Sequence, residues 1–209
     1  MGISMRKMHE GVKKMTDNAF LNMYEADGVD RDGKHFPYYF VTRRDQEQME
    51  FHSREFLADG VVVYALMEDN PEKIVLVRQY RYPLNDYLYE LPAGLVDAGE
   101  DGGSTAIREM KEETGLDFTI YEGGNPACRR VFAQAQGLAD ECDQMVFGYA
   151  RGEVSLAGNE SQEEMEVVIA DKAMAKRILE EEKVSIRAAF MLMHFLKSDA
   201  KAPFAFLEI

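Results

Sequence analysis

The sequence predicts an α/β layered domain and a small antiparallel β-subdomain at its N-terminus. Three observations predict it. From residue 60 onward, short apolar runs of strand character alternate with segments of helical periodicity. The first run, Gly60-Val61-Val62-Val63-Tyr64-Ala65-Leu66-Met67, is apolar at nearly every position, as a strand covered on both faces must be. Nearer the N-terminus, strand-like stretches at 18–26 and 36–44 flank Asp27-Gly28-Val29-Asp30-Arg31-Asp32-Gly33-Lys34, whose turn chemistry makes a hairpin.

In chain order, Met5, Met8, Val12 and Met15 stand at helical spacing among Arg6, Lys7, Lys13 and Lys14, which predicts a short amphipathic helix over 4–15. The hairpin follows, then a third extended piece over 49–56. Residues 1–57 are short for a core of their own and are expected to dock on the rest of the chain or on a second subunit. Residues 58–209 form the main domain, with strands at 60–67, 74–77 and 87–91 and a helix at 103–114. Further strands are expected near 117–122, 128–134, 143–150 and 165–170, and helices over 171–181 and 185–197. The last helix carries Ile186, Phe190, Met193 and Leu196 as its apolar face.

Composition narrows the function. The chain has 209 residues, 46% hydrophobic and 30% charged, a globular balance. No apolar run approaches the roughly 20 residues that cross a bilayer, so no membrane partner is expected. No secretory signal follows Met1, and the two cysteines, Cys128 and Cys142, make neither a disulfide framework nor a metal-ligand spacing; a cytoplasmic location is expected. His9, His35, His52 and His194 are scattered, without ligand spacing. The net charge of −14 excludes nucleic acid as a partner. It also repels any anionic substrate, unless clustered carboxylates hold divalent cations that invert the local sign.

Such a cluster lies in residues 94–116. Gly94 is followed by Glu100, then Arg108, Glu109, Met110, Glu112, Glu113, Gly115 and Leu116. Asp101 or Ser104 can cap a helix here, and Gly115 stands where a C-terminal glycine belongs. On that helix Glu109, Glu112 and Glu113 fall at i, i+3 and i+4 and share a side, while Ala106, Ile107 and Met110 cover a neighbouring face that can pack on a sheet. Three like charges on one face gain nothing unless a cation occupies them. Carboxylate oxygens are hard ligands, which points to Mg²⁺ or Mn²⁺. Arg108 lies one turn before Glu112 and can pair with it. A solvated acidic face is the plain alternative for three glutamates, but not for the whole pattern.

That pattern matches the Nudix box, G-x5-E-x7-R-E-U-x-E-E-x-G-U, at all nine specified positions, an agreement expected by chance on the order of 10⁻⁷ of the time. The chain therefore resembles the Nudix hydrolases, whose fold is an α/β/α sandwich with a mixed sheet. Arg78-Gln79-Tyr80-Arg81 and Glu90-Leu91-Pro92-Ala93-Gly94 further resemble the ADP-ribose pyrophosphatase branch, as does the N-terminal hairpin. The resemblance implies Mg²⁺-dependent hydrolysis of the diphosphate bond of a nucleoside diphosphate sugar, with ADP-ribose giving AMP and ribose 5-phosphate. It implies metal ligation by Glu109, Glu113, Glu112 and the Ala93 carbonyl, with Glu100 assisting. Arg108, paired with Glu112, is expected to fix that carboxylate's direction. It implies substrate contact by Arg81, with Arg78 and Glu90 as further candidates, and a homodimer through the N-terminal subdomain.

The branch has a Ser-Pro-Gly stretch followed by an acidic dipeptide whose glutamate is a candidate general base. Here Ala135-Gln136-Gly137-Leu138-Ala139-Asp140-Glu141 keeps the glycine and the Asp-Glu pair, which makes Glu141 the candidate base, with Asp140 and Asp143 behind it. Glu160, Glu163 and Glu164 form another acidic cluster. Other Nudix substrates (UDP- or GDP-sugars, dinucleoside polyphosphates, nucleoside triphosphates) would use the same box. A non-catalytic ADP-ribose sensor normally carries a DNA-binding helical domain, of which no sign is visible.

Overall fold

The computed structural model describes residues 8–158 and 164–209. Its elements in chain order are β1 (His9–Lys14), β2 (Asn22–Val29), β3 (His35–Thr42), α1 (Glu50–Ser53), β4 (Gly60–Met67), β5 (Lys73–Arg81), β6 (Asp86–Glu90), β7 (Ala93–Leu95), α2 (Gly102–Thr114), β8 (Asp117–Ile120), β9 (Val131–Ala133), β10 (Cys142–Arg151), β11 (Met165–Asp171), α3 (Lys172–Glu181) and α4 (Ile186–Lys197). They fall into two compact units. One runs to Leu57 and includes Val131–Asp143; the other comprises Ala58–Arg130 and Gln144–Ile209.

In the first unit β1, β2 and β3 form an antiparallel sheet. The β2–β3 turn is closed by Asp30, whose Oδ1 accepts from the backbone N–H groups of Asp32 and Lys34 at 2.9 and 2.8 Å, an Asx turn. Tyr24, Ala26 and Phe40 point to one face and bury Met49 against it. The loop before β10 adds to the β3 edge: Val41 N–H donates to the Leu138 carbonyl at 2.9 Å.

Two expectations fail in this unit. The helix expected over 4–15 is a strand where it is described, at His9–Lys14; Met5, Arg6 and Lys7 lie outside the described residues. Gly11 is a poor helix former, and the pairing of His9 to Lys14 with Gly28 to Tyr24 overrides the weak local preference. The extended piece expected over 49–56 contains a single helical turn, α1, ended by Arg54 at a positive φ of 59°.

The second unit is a three-layer sandwich. Its sheet runs β11-β5-β4-β10-β8, with β6 on β5 and β7 on β4. β4 alternates as a central strand must. Val61, Val63 and Ala65 face α2 with Ala106 and Met110, while Val62, Tyr64 and Leu66 face α3 and α4 with Ile178, Leu192 and Phe195. Buried Val, Leu, Ile, Phe and Met side chains of this kind contribute about 1.5–3 kcal/mol each and dominate the stability of the unit.

α4 turns a different face to the core than its sequence suggests. Ala188, Met191, Leu192 and Phe195 are buried, whereas Ile186, Phe190 and Met193 are 72, 58 and 49% exposed. Apolar residues stand on most sides of this helix, so periodicity leaves its orientation open. Similarly Ile107 is 46% exposed, and Thr105 takes the buried place beside Ala106.

Gly115 ends α2 at φ +76°, its N–H donating to the Lys111 carbonyl at 3.0 Å. A Cβ there would stand 2.6 Å from the Ser155 backbone nitrogen. Gly115→Ala therefore meets both an unfavourable backbone and a neighbour that cannot rotate away, and should cost about 1–3 kcal/mol in urea unfolding.

Candidate active site

The site begins on β7. Gly60, Val61 and Val62 of β4 pair with Leu95, Gly94 and Ala93, and Val63 N–H donates to the Pro92 carbonyl at 2.8 Å. Pro92-Ala93-Gly94 is thereby laid along the central strand as its backbone turns toward α2. Asp101 caps α2: Ser104 N–H donates to Asp101 Oδ1 at 2.8 Å, and Asp101 N–H donates to Ser104 Oγ at 3.0 Å, a reciprocal capping box. The helix is packed through Ala106 and Met110, which turns its acidic side along β7.

Two of its glutamates touch β7 directly. Ala93 N–H donates to Glu113 Oε2 at 3.1 Å, and Glu113 is only 5% exposed. The Glu109 carboxyl lies on Gly94 so closely that a Cβ there would stand 1.9 Å from its Cδ. Only glycine permits this approach.

Arg108 holds the rest. Its Nη1 donates to Glu109 Oε1 at 2.7 Å and to Glu112 Oε2 at 2.9 Å. Its Nη2 donates to Glu100 Oε2 and to the Leu95 carbonyl, both at 3.0 Å, and its Nε to Glu100 Oε1 at 3.1 Å. One guanidinium thus spans three carboxylates and the end of β7, a use of its planar fork that lysine could not reproduce. Thr105 Oγ1 adds a 2.8 Å bond to Glu100 Oε2. Thr105 was not singled out from sequence; its place five residues after Glu100, on the first turn of a capped helix, was the available signal.

These bonds set the electrostatics. Hydrogen bonds from Arg108 and then Thr105 hold the Glu100 carboxyl down to about 2 from an ordinary 4.5, and the carboxylates in turn push the Arg108 pKa up. A carboxyl whose pKa is lower in the folded chain stabilises the fold above the unfolded pKa, near 4.5, and loses that contribution as pH falls toward 2. The stability gap between wild type and Glu100→Gln, read by urea unfolding, should be full at neutral pH and close between about pH 4.5 and 2. A gap that does not change with pH would contradict this pairing.

The remaining candidates stand on elements other than the box helix. Arg81 Nε donates to Glu90 Oε2 at 2.5 Å, and Arg187 stands 4.0 Å from the buried Glu90. Arg78 lies over the Tyr87 ring at 4.5 Å and 3.8 Å from Glu166. Glu164 accepts from Tyr87 Oη at 3.4 Å, whereas Glu160 and Glu163 lie outside the described residues. Glu141, Asp140 and Asp143 belong to the first unit, where Arg43 Nε stands 3.8 Å from Glu141 Oε1.

A family model, the NUDIX domain, matches residues 58–185, more than half of the chain and all of the box segment. The chain belongs to the Nudix family. Among its relatives, a methanol dehydrogenase activator of Bacillus methanolicus is 41% identical over 88 residues, 42% of this chain and 45% of the relative. An ADP-ribose pyrophosphatase of Mycobacterium tuberculosis is 36% identical over 104 residues, 47% of this chain and 50% of the relative. The chain spans about half the length of these curated relatives. The crystal structure of an ADP compounds hydrolase superposes with a TM-score of 0.67 at 20% identity, covering 94% of this chain and 97% of that one, a likeness of fold.

The box fits a hard divalent cation by the chemistry of its donors: Glu109, Glu112 and Glu113 offer only carboxylate oxygens on one helix face. Among the described residues no three His, Cys, Asp or Glu side chains form a ready-made metal group. Arg108 Nη1 donates to one oxygen of Glu109 and one of Glu112, which fixes the direction of both carboxylates.

Proposed function

We propose that this Nudix chain is a Mg²⁺-dependent hydrolase of the diphosphate bond in nucleoside diphosphate sugars, with ADP-ribose as substrate and AMP and ribose 5-phosphate as products. One observation carries the reading. A single helix face brings Glu109 and Glu113 onto the backbone of Ala93 and Gly94, with Arg108 fixing Glu109 and Glu112. Relatives that are an ADP-ribose pyrophosphatase in Mycobacterium tuberculosis and in yeast and an ADP-sugar pyrophosphatase in mouse support the substrate class.

Glu109, Glu113 and Glu112, with the Ala93 carbonyl, would hold Mg²⁺ or Mn²⁺. When bound, the ion neutralises charge on the diphosphate oxygens, which an acidic chain could not otherwise tolerate. Arg108 keeps Glu109 and Glu112 from splaying apart. Glu141 takes a proton from the attacking water, or a box glutamate does. Arg81, aligned by Glu90, recognises the diphosphate in the bidentate manner natural to a guanidinium. A homodimer through the first unit is supported by its exposed apolar side chains: Phe20, Phe36, Tyr38 and Tyr39 are 82, 43, 44 and 50% exposed.

A product panel tests the substrate class. With Mg²⁺ present, turnover of ADP-ribose should exceed that of UDP-glucose, GDP-mannose, dinucleoside polyphosphates and nucleoside triphosphates. A flat panel, or a preference for triphosphates, would overturn the assignment to nucleoside diphosphate sugars.

A further inference from the structure

The first unit contains a cavity of about 400 Å³, within the range of small-molecule sites. All its lining residues belong to that unit. The walls are largely aromatic: Phe36, Tyr38, Phe40, Phe51 and Phe56 line it. Phe40 and Phe51 stack at 5.7 Å between ring centroids, and His9 lies 4.3 Å from Phe51.

Its charged groups are carboxylates, beside the neutral polar side chains of His9, Tyr38 and Gln136. Glu50 and Asp140 line the cavity, and no Lys or Arg does. The Glu50 side chain is 9% exposed. Its Oε1 accepts from Arg44 Nη1 at 3.1 Å and from Leu57 N–H at 3.0 Å. Its Oε2 is buried with no hydrogen-bond partner, and so is His9 Nδ1. Asp140 Oδ2 accepts from Glu50 N–H at 3.1 Å. A buried carboxylate oxygen without a donor is costly, and such an atom beside a cavity marks where a ligand donates. Arg44 offsets one of the two carboxylate charges and leaves a negative balance. Aromatic faces attract cations for the same electrostatic reason.

We infer that this cavity binds a small organic ammonium with an apolar body, its N–H donating to Glu50 Oε2 and its body lying among the phenylalanines. The test is calorimetric titration of the full chain with three probes of one shape: 2-phenylethylammonium, 2-phenylethanol and phenylacetate. The ammonium should bind, the alcohol at least about tenfold more weakly, and the carboxylate not at all. Glu50→Gln keeps an acceptor for Arg44 and Leu57 but turns a donor toward the ligand; it should weaken the ammonium at least about tenfold. Ala139→Leu adds bulk to the cavity wall while leaving Glu50 in place, and should weaken binding even if the first variant folds poorly. Equal binding of ammonium and alcohol, no binding of any probe, or ammonium binding unchanged in Ala139→Leu would overturn the inference. The readout is binding rather than turnover, so the outcome stands apart from the hydrolase reading.

Discussion

Glu113→Gln should leave the chain folded and reduce Mg²⁺-dependent turnover by roughly 10³-fold or more, since a ligand to a catalytic cation carries several kcal/mol of transition-state stabilisation. The fold survives because Glu113 accepts from Ala93 N–H at 3.1 Å, and an amide oxygen accepts there equally well. Glu113 is 5% exposed, and a neutral amide at such a position costs less desolvation than a carboxylate. What disappears is one negative charge. Thermal unfolding and turnover, measured on one preparation, separate the two roles. Full activity in the folded variant would remove Glu113 from the metal ligands.

Gly94→Ala is the second large effect. The new Cβ would stand 1.9 and 2.0 Å from Glu109 Cδ and Oε1, so the carboxyl must retreat by about an ångström or more. That atom is the far end of a flexible side chain, so the retreat is cheap for stability. It is not cheap for chemistry, because a misplacement of about 1 Å can cost on the order of 10²-fold in rate. The expected result is a loss of about 10²-fold in turnover with an unfolding midpoint close to wild type. Unchanged turnover would show that Glu109 does not act from its place on Gly94.

The box was legible because its geometry is local. Glu109, Glu112 and Glu113 share a side by helical spacing alone, and Asp101, Ser104 and Gly115 punctuate that helix in the sequence itself. β4 was legible for a related reason: Gly60–Met67 is apolar on both faces, and the fold covers both. What failed depends on partners distant in sequence. β1 is a strand because β2 pairs with it, and Met8, Val12 and Met15 fit a helix equally well on paper. α4 buries Met191 and Leu192 rather than Phe190 and Met193, since a helix apolar on most sides takes its orientation from the sheet beneath it. The role of Arg108 was half visible. Its pairing with Glu112 follows from i, i+4 spacing, but its hold on Glu100 and the Leu95 carbonyl needs the turn that brings β7 back to the helix.

The central claim is that this box performs metal-assisted diphosphate hydrolysis. The most direct measurement is the release of AMP and ribose 5-phosphate from ADP-ribose by the purified full chain, with and without Mg²⁺. Equimolar products are expected, with formation that requires the cation and stops on chelation. Turnover that proceeds undiminished under chelation, or no cleavage of any diphosphate substrate at saturating Mg²⁺, would contradict it.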